Sequence, residues 1–171
     1  EVLLNAVALV LKDVPQFRLV LIGDGQDRKN LEDLTKELGI RKRVTFLGAL
    51  AFSEIPAYMK AADIFGFASI TETQGLVTLE AMAAGLPVVA VDASGTRDIL
   101  KNGQQGYLVE NNADALAAGI KKLLSNPERM QKFAEAALKK AESFNVELLT
   151  KKLLTVYEQA IHDKKKNHFV E

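Results

Sequence analysis

Two glutamates carry the clearest chemical signal in this sequence of 171 residues: Glu72 and Glu80 lie eight positions apart. Residues 76–84 are apolar except for Thr78 and Glu80, and a glycine stands at each end, which predicts one short helix. Glu80 shares its face of that helix with apolar side chains, where a charge is costly unless it is paired. A carboxylate there suits sugar hydroxyls, because it accepts hydrogen bonds from two of them. The alternative is a structural ion pair with a lysine or arginine elsewhere.

The start of this helix predicts a second kind of contact. Gly75 allows a ligand to approach the backbone closely, and the N–H groups of Leu76 and Val77 have no partner within the helix. Such a helix N-terminus suits a phosphate group. Glu72 and Gln74 stand just before it, and Glu72 is either a second ligand-binding acid or a loop charge that favours the helix N-terminus. The alternative for the whole segment is an ordinary helix cap.

Short apolar segments alternate with helical ones along most of the chain. The pattern predicts strands over residues 17–22, 44–47, 64–68, 87–91 and 107–109, separated by helices over 28–38, 53–62, 76–84 and 96–100. Ser53 is the expected cap of the second of these helices. A further helix is predicted over residues 1–11, and three more over 113–125, 128–142 and 146–163. Wholly apolar strands in this alternation predict an α/β fold: a Rossmann-like parallel sheet with helices on both faces. Ligands of such sheets bind at the carboxyl ends of the strands, where all the candidate loops lie.

Composition excludes several classes of function. Lysine and arginine number 22 and so do aspartate and glutamate, so the chain has no net charge with which to attract nucleic acid. Cysteine is absent, which excludes disulfides and cysteine–zinc sites and suits the cytosol. His162 and His168 both lie near the C-terminus, so no histidine-based metal or nucleophile site is expected in the body of the chain. The lysine-rich helix faces are either solvated or in peripheral contact with a membrane.

A set of short motifs occurs in a fixed order around the two glutamates. They are LVLIGDG at 19–25, RVTFLG at 43–48, AAD at 61–63, Ser69, GLPVV at 85–89, Gly95 and GYLV at 106–109. Together with the spacing of Glu72 and Glu80, they closely resemble the retaining glycosyltransferases of family 4, over about residues 1–125. The resemblance implies the C-terminal, donor-binding half of a B-type, two-domain glycosyltransferase. It also implies that a strand, an arginine and a lysine of the donor site, and an acceptor-binding domain precede Glu1.

The resemblance assigns roles to individual residues. Glu72 is implied as the catalytic residue at the donor sugar, and Glu80 as the acceptor of hydrogen bonds from the nucleotide ribose. The remaining donor-binding positions are loop and helix-start residues: Gln74, Gly75, Leu76, Val77, Gly23, Gly48 and Gly95. The family commonly has phenylalanine at the position of Gln74, and members that act on lipid acceptors resemble this chain more closely there.

The implied function is the transfer of a hexose from a nucleoside diphosphate sugar, of UDP or GDP type, to a glycan or lipid acceptor. No cofactor and no metal are implied. Residues 1–163 are expected to form the nucleotide-sugar-binding domain and 164–171 a polar tail, with the protein cytoplasmic or at the membrane surface. The chain alone is expected to be folded but inactive, because the other wall of the cleft lies in the acceptor domain. Two alternatives stay open: a non-catalytic nucleotide-sugar-binding module, and a nucleotide-sugar epimerase on the same architecture.

Overall fold

The structure is a computed structural model that describes residues 1–167. Its strands are β1 (Leu19–Ile22), β2 (Val44–Gly48), β3 (Phe65–Phe67), β4 (Val88–Val91) and β5 (Gly106–Val109). Its helices are α1 (Val2–Leu11), α2 (Arg28–Glu37), α3 (Ile55–Lys60), α4 (Leu76–Ala83), α5 (Ser94–Ile99), α6 (Ala113–Leu124), α7 (Pro127–Glu142) and α8 (Val146–Asn167). The predicted alternation of strands and helices is confirmed.

All strand pairs are parallel, but they form two sheets where the sequence predicted one. β1 pairs with β2, starting with Leu19 opposite Val44, and the second sheet has the order β3-β4-β5. The ladder is interrupted between the β1-β2 pair and the β3-β4-β5 sheet, and the parallel strands with helices between them confirm the fold class.

Helices cover both faces of the larger sheet, as β4 shows. Successive side chains of a strand point to opposite faces. Val89 is buried in a cluster with residues of α1 and α6, whereas Val88 and Ala90 are buried in another cluster with residues of α4 and α5. This burial on both faces explains why the whole strand is apolar.

Helix α1 joins the two sheets. Leu4 and Val7 pack in a core cluster with Val44 of β2, while Ala6 and Val10 of the same helix pack with Val89 of β4. All four of these α1 side chains are almost fully inaccessible to solvent. The single helix therefore holds the β1-β2 unit against the β3-β4-β5 unit.

Two details of the helix predictions were wrong. Ser53 caps no helix: α3 begins two residues later at Ile55, with Pro56 in its first turn, where proline is well tolerated. The side chain of Glu54 instead bonds back to the backbone N–H of Ala51, at 3.0 Å. Helix α8 ends at Asn167, four residues beyond the predicted end, and the remaining residues of the predicted tail, with His168, lie outside the described part of the chain. No helix within residues 1–167 is long and apolar enough to cross a membrane.

Candidate functional site

The candidate site is centred on the start of α4. Gly75 adopts the left-handed conformation, with φ of 69°, and turns the chain from the loop after β3 into the helix. A residue with a side chain is strained in this conformation. The side chains of Leu76 and Val77 are exposed in the first turn, and none of the hydrogen bonds found within residues 1–167 uses their backbone N–H groups.

The carboxylate of Glu72 is bound to the loop that leads into α4. Its Oε1 atom accepts hydrogen bonds from the backbone N–H groups of Gln74, at 2.9 Å, and Gly75, at 2.8 Å. These bonds, that of Gln74 foremost, hold the pKa of Glu72 below its ordinary value. Glu72 is therefore a fixed carboxylate, and it occupies the backbone N–H groups of two predicted donor-binding residues, Gln74 and Gly75, while those of Leu76 and Val77 are not engaged by it.

The loop at Glu72 rests directly on the start of α5. The backbone N–H of Gly95 donates to the carbonyl oxygen of Glu72 at 3.1 Å. A Cβ added at Gly95 would lie 2.6 Å from that oxygen, and one added at Gly75 would lie 2.5 Å from the carbonyl oxygen of Gly95. Gly95 is buried, its N–H is engaged by Glu72, and its lack of a side chain allows the two backbone segments to pack closely.

A second pair of predicted residues meets at the carboxyl ends of β1 and β2. Gly23 donates its N–H to the carbonyl oxygen of Gly48 at 2.8 Å. The guanidinium group of Arg28 lies against Gly48, since a Cβ there would be 2.9 Å from its Nη1 atom. Arg28 also pairs with Glu32 and, at a longer distance, with Asp24, and these two carboxylates, Glu32 foremost, raise the pKa of Arg28. The turn after β1 is thus stabilised by the ion pairs that Arg28 makes with neighbouring carboxylates.

Glu80 lies one turn into α4 and faces a recess between α3 and α4. The recess has a volume of about 230 Å³ and a mostly apolar lining, formed by Phe52, Ile55, Pro56, Met59, Lys60, Glu80, Ala83 and Ala84. Glu80 is half-buried, and none of the ion pairs or side-chain hydrogen bonds found within residues 1–167 involves it. This observation does not support the alternative of a structural ion pair.

The sequence analysis missed the side of this recess formed by α3. Phe52 stands at its edge with 77% of its surface exposed, and Ile55 and Met59 line its wall. The signal was present in the apolar residues at positions 52, 55 and 59, which follow helical spacing, but the segment was assigned only to a helix. A larger concavity, of about 980 Å³, lies against α1 and contains none of the predicted site residues.

The predicted site residues fall into two groups. Glu72, Gln74, Gly75, Leu76, Val77 and Gly95 form one group around the start of α4. Gly23 and Gly48 form the other, after β1 and β2, and the recess at Glu80 is shared between α4 and the segment that follows β2. Within residues 1–167, no cluster of three or more histidine, aspartate or glutamate side chains is placed to hold a metal ion.

Comparison with known proteins places this geometry in context. The family model for glycosyl transferases group 1 matches residues 1–140. The D-inositol 3-phosphate glycosyltransferase of Stackebrandtia nassauensis is 36% identical, and the match covers 94% of this chain and 39% of that protein. The alpha-monoglucosyldiacylglycerol synthase of Streptococcus pneumoniae is also 36% identical, covering 75% of this chain and 29% of the relative.

A solved structure shows the same arrangement of elements. HepE of Anabaena, crystallised in complex with UDP, superposes with a TM-score of 0.84 at 29% identity, over 92% of this chain and 44% of that one. The chain spans about two-fifths of the length of the first curated relatives that it matches.

Proposed function

The chain belongs to the group 1 glycosyl transferases, and from this premise we propose that it binds the donor of a retaining hexosyltransferase. The donor is a nucleoside diphosphate sugar of UDP or GDP type. The observation that carries the proposal is the half-buried carboxylate of Glu80, which has no ion-pair or hydrogen-bond partner among the described residues and lies beside an apolar recess, one turn from the N-terminus of α4. Each of the three parts fits one part of such a donor.

Glu80 and the recess fit the nucleoside. A carboxylate accepts hydrogen bonds from the two ribose hydroxyls, and charge-assisted bonds of this kind are stronger than neutral ones. The apolar recess beside it, with the exposed ring of Phe52 at its edge, suits a planar base that is apolar on its faces. Gly48 is the last residue of β2, and its backbone supplies polar groups for the edge of the base.

The start of α4 fits the diphosphate. Glu72 already holds the N–H groups of Gln74 and Gly75, so the phosphates bind to the N–H groups of Leu76 and Val77 that follow. The same hydrogen bonds fix the Glu72 carboxylate at the mouth of the helix, where it contacts the hydroxyls of the donor sugar. Gly95 supports this arrangement from behind by holding the Glu72 loop.

The reaction transfers the sugar with retention of its anomeric configuration. The acceptor hydroxyl attacks the anomeric carbon on the face that the diphosphate leaves, the bond to the diphosphate oxygen breaks, and the departing phosphate takes the proton of the hydroxyl. The helix N-terminus stabilises the charge that grows on the diphosphate, and Glu72 orients the sugar. No metal or other cofactor takes part.

The acceptor is a glycan or a lipid, and it binds to the part of the polypeptide that this chain does not include. Of the two relatives above, one is named for an inositol phosphate and the other for a monoglucosyldiacylglycerol, and the second name supports a lipid acceptor. The protein acts in the cytoplasm, at the membrane surface if the acceptor is a lipid.

The test is calorimetric titration of the chain with UDP and with GDP. Glu80→Ala should weaken binding of the preferred nucleotide by roughly 10- to 100-fold, because a hydrogen bond to a charged group contributes about 1.5–3 kcal/mol. The melting temperature of this variant should stay unchanged, because alanine is a favourable residue in a helix interior. Glu135→Ala, on the outer side of α7, is the matched control and should bind as the unchanged chain does. Unchanged affinity with a large fall in melting temperature would make Glu80 a structural residue.

Catalysis is tested on the longer protein, that is, this chain together with the part that binds the acceptor. The longer protein should transfer the sugar with retention, which is measured from the anomeric proton signals of the product. Addition of EDTA should leave the rate of transfer unchanged. The chain alone should show no turnover. Inversion at the anomeric carbon, or turnover by the chain alone, would contradict the proposed mechanism or the division of the site between two domains.

A further inference from the structure

Arg28 is held in one position at the carboxyl ends of β1 and β2. It is the first residue of α2, and its side chain is half-buried. Its Nε atom donates a hydrogen bond to Glu32 at 3.1 Å, and its Nη1 atom donates one to a carboxylate oxygen of Asp24 at 3.4 Å. Asp24 is itself fixed, because its other oxygen accepts the N–H of Gly25 at 2.9 Å. Contacts on both sides therefore fix the guanidinium group.

The guanidinium group lies on Gly48, the last residue of β2. A Cβ added at Gly48 would be 2.9 Å from the Nη1 atom of Arg28, so a residue with a side chain there would displace the guanidinium group. The backbone N–H of Gly23 also meets Gly48, through the hydrogen bond to its carbonyl oxygen. Arg28 thus reaches from the end of β1 to the end of β2, and glycine at position 48 leaves the space that it fills.

This guanidinium group keeps donors that no described residue uses. A guanidinium group has five N–H donors and no acceptor. Glu32 and Asp24 use two of these donors, and none of the hydrogen bonds found within residues 1–167 uses the other three. Beside Gly48, Arg28 therefore offers a ligand only hydrogen-bond donors.

We propose that Arg28 selects the base of the donor, by binding only bases with a carbonyl group at the edge that meets Gly48. This inference rests on the proposed function, which places the edge of the base at Gly48. Uracil has a carbonyl oxygen at position 4 and guanine has one at position 6, and both accept hydrogen bonds from arginine. Cytosine and adenine have an amino group at these positions, which donates as arginine does. Donors of uridine or guanosine type are therefore bound, and those of cytidine or adenosine type are rejected.

The rejection follows from the way in which Arg28 is held. Its two acidic partners prevent the side chain from turning away, so an amino group at the edge of the base would face N–H donors with no acceptor between them. A site built to hydrogen-bond one group strongly rejects an analogue that lacks this group. The alternative is that Arg28 only stabilises the turn after β1. In that case its replacement would weaken the binding of all nucleotides equally and would not affect the choice of base.

The test is calorimetric titration of the chain with two pairs of nucleotides. UDP and CDP differ only at this edge of the base, and so do IDP and ADP. Within the pair that has the preferred ring, the nucleotide with the carbonyl group should bind at least roughly tenfold more tightly. Arg28→Gln should reduce this ratio of affinities to about twofold or less, because an amide group both donates and accepts hydrogen bonds.

The matched control is Lys29→Gln, which removes the same charge from the next residue, whose side chain is exposed. It should leave the affinities and their ratio unchanged. An unchanged ratio in Arg28→Gln, with all affinities lowered equally, would make Arg28 a structural residue and overturn the proposal. Equal binding of both members of each pair by the unchanged chain would overturn it without any substitution. If no nucleotide bound at all, the proposed function would fail as well.

Discussion

Gly95 offers a sharp test of how the site is held together. The residue is helical and buried, and its backbone conformation is ordinary, so alanine would normally stabilise the helix by about 1 kcal/mol. The structure predicts the reverse. The new Cβ would lie 2.6 Å from the carbonyl oxygen of Glu72 and 2.8 Å from the backbone nitrogen of Gln74. Both neighbours are backbone atoms, so no side-chain rotation relieves the contact.

The magnitude follows from these contacts. Overpacking of a close contact costs about 1–3 kcal/mol. Loss of the 3.1 Å hydrogen bond from Gly95 to Glu72 removes about 0.5–1.5 kcal/mol more. After subtraction of the gain in helix propensity, Gly95→Ala should destabilise the domain by about 1–3 kcal/mol, a fall of roughly 2–12 °C in melting temperature. Nucleotide affinity should fall as well, because the loop that leads into α4 is displaced.

Calorimetric melting and UDP titration of the same preparations measure both effects. Gly25→Ala is the matched control, since nothing lies within 4 Å of a Cβ at Gly25 and its φ is not in the left-handed region. That variant should melt and bind as the unchanged chain does. If Gly95→Ala also melts at the original temperature and binds UDP normally, the contact between the Glu72 loop and α5 does not organise the site.

Three further substitutions separate binding, catalysis and packing. Glu72→Gln should reduce turnover of the longer protein far more than nucleotide affinity, and equal losses of both would place the residue elsewhere. Its melting temperature should also depend less on pH: the lowered pKa of Glu72 stabilises the fold above about pH 4.3, and this is lost as pH falls through the folded-state value. Phe52→Ala should weaken UDP binding by at least roughly fivefold, as expected for loss of a stacked ring worth about 1 kcal/mol or more, without lowering the melting temperature. Thr78→Val should leave the melting temperature unchanged or raise it, because the buried hydroxyl has no hydrogen-bond partner within residues 1–167; a fall of several degrees would show that it has one.

Patterns within short stretches of sequence correctly predicted most of the fold. Gly75 and Gly85 frame α4 in the structure as in the sequence, both with positive φ, because these positions need a residue without a side chain. The apolar run of β4 indicated burial on both faces, which its two core clusters confirm.

What the sequence did not predict depends on contacts between distant segments. The split of the sheet depends on which strands pair, and periodicity carries no information on that. The recess at Glu80 forms because Phe52 and α3 lie beside α4, although β3 separates α3 from α4 in the sequence. The engagement of the Gly95 N–H by Glu72 likewise required the loop and α5 to be placed together. The motif order indicated which residues belong to the site, but not how they support one another.

The interrupted ladder has a consequence for the behaviour of the chain in concentrated solution. β1 pairs only with β2, and β3 pairs only with β4, so each strand has an edge without a partner strand within the described residues. Unpaired edges of parallel strands are templates for other extended chains, and natural proteins usually protect them. Val20, in the middle of β1, has 49% of its surface exposed and adds an apolar contact to its edge. We expect the chain by itself to associate through these edges as its concentration rises. A strand that paired with β1 and β3 at once would cover both edges and suppress this association.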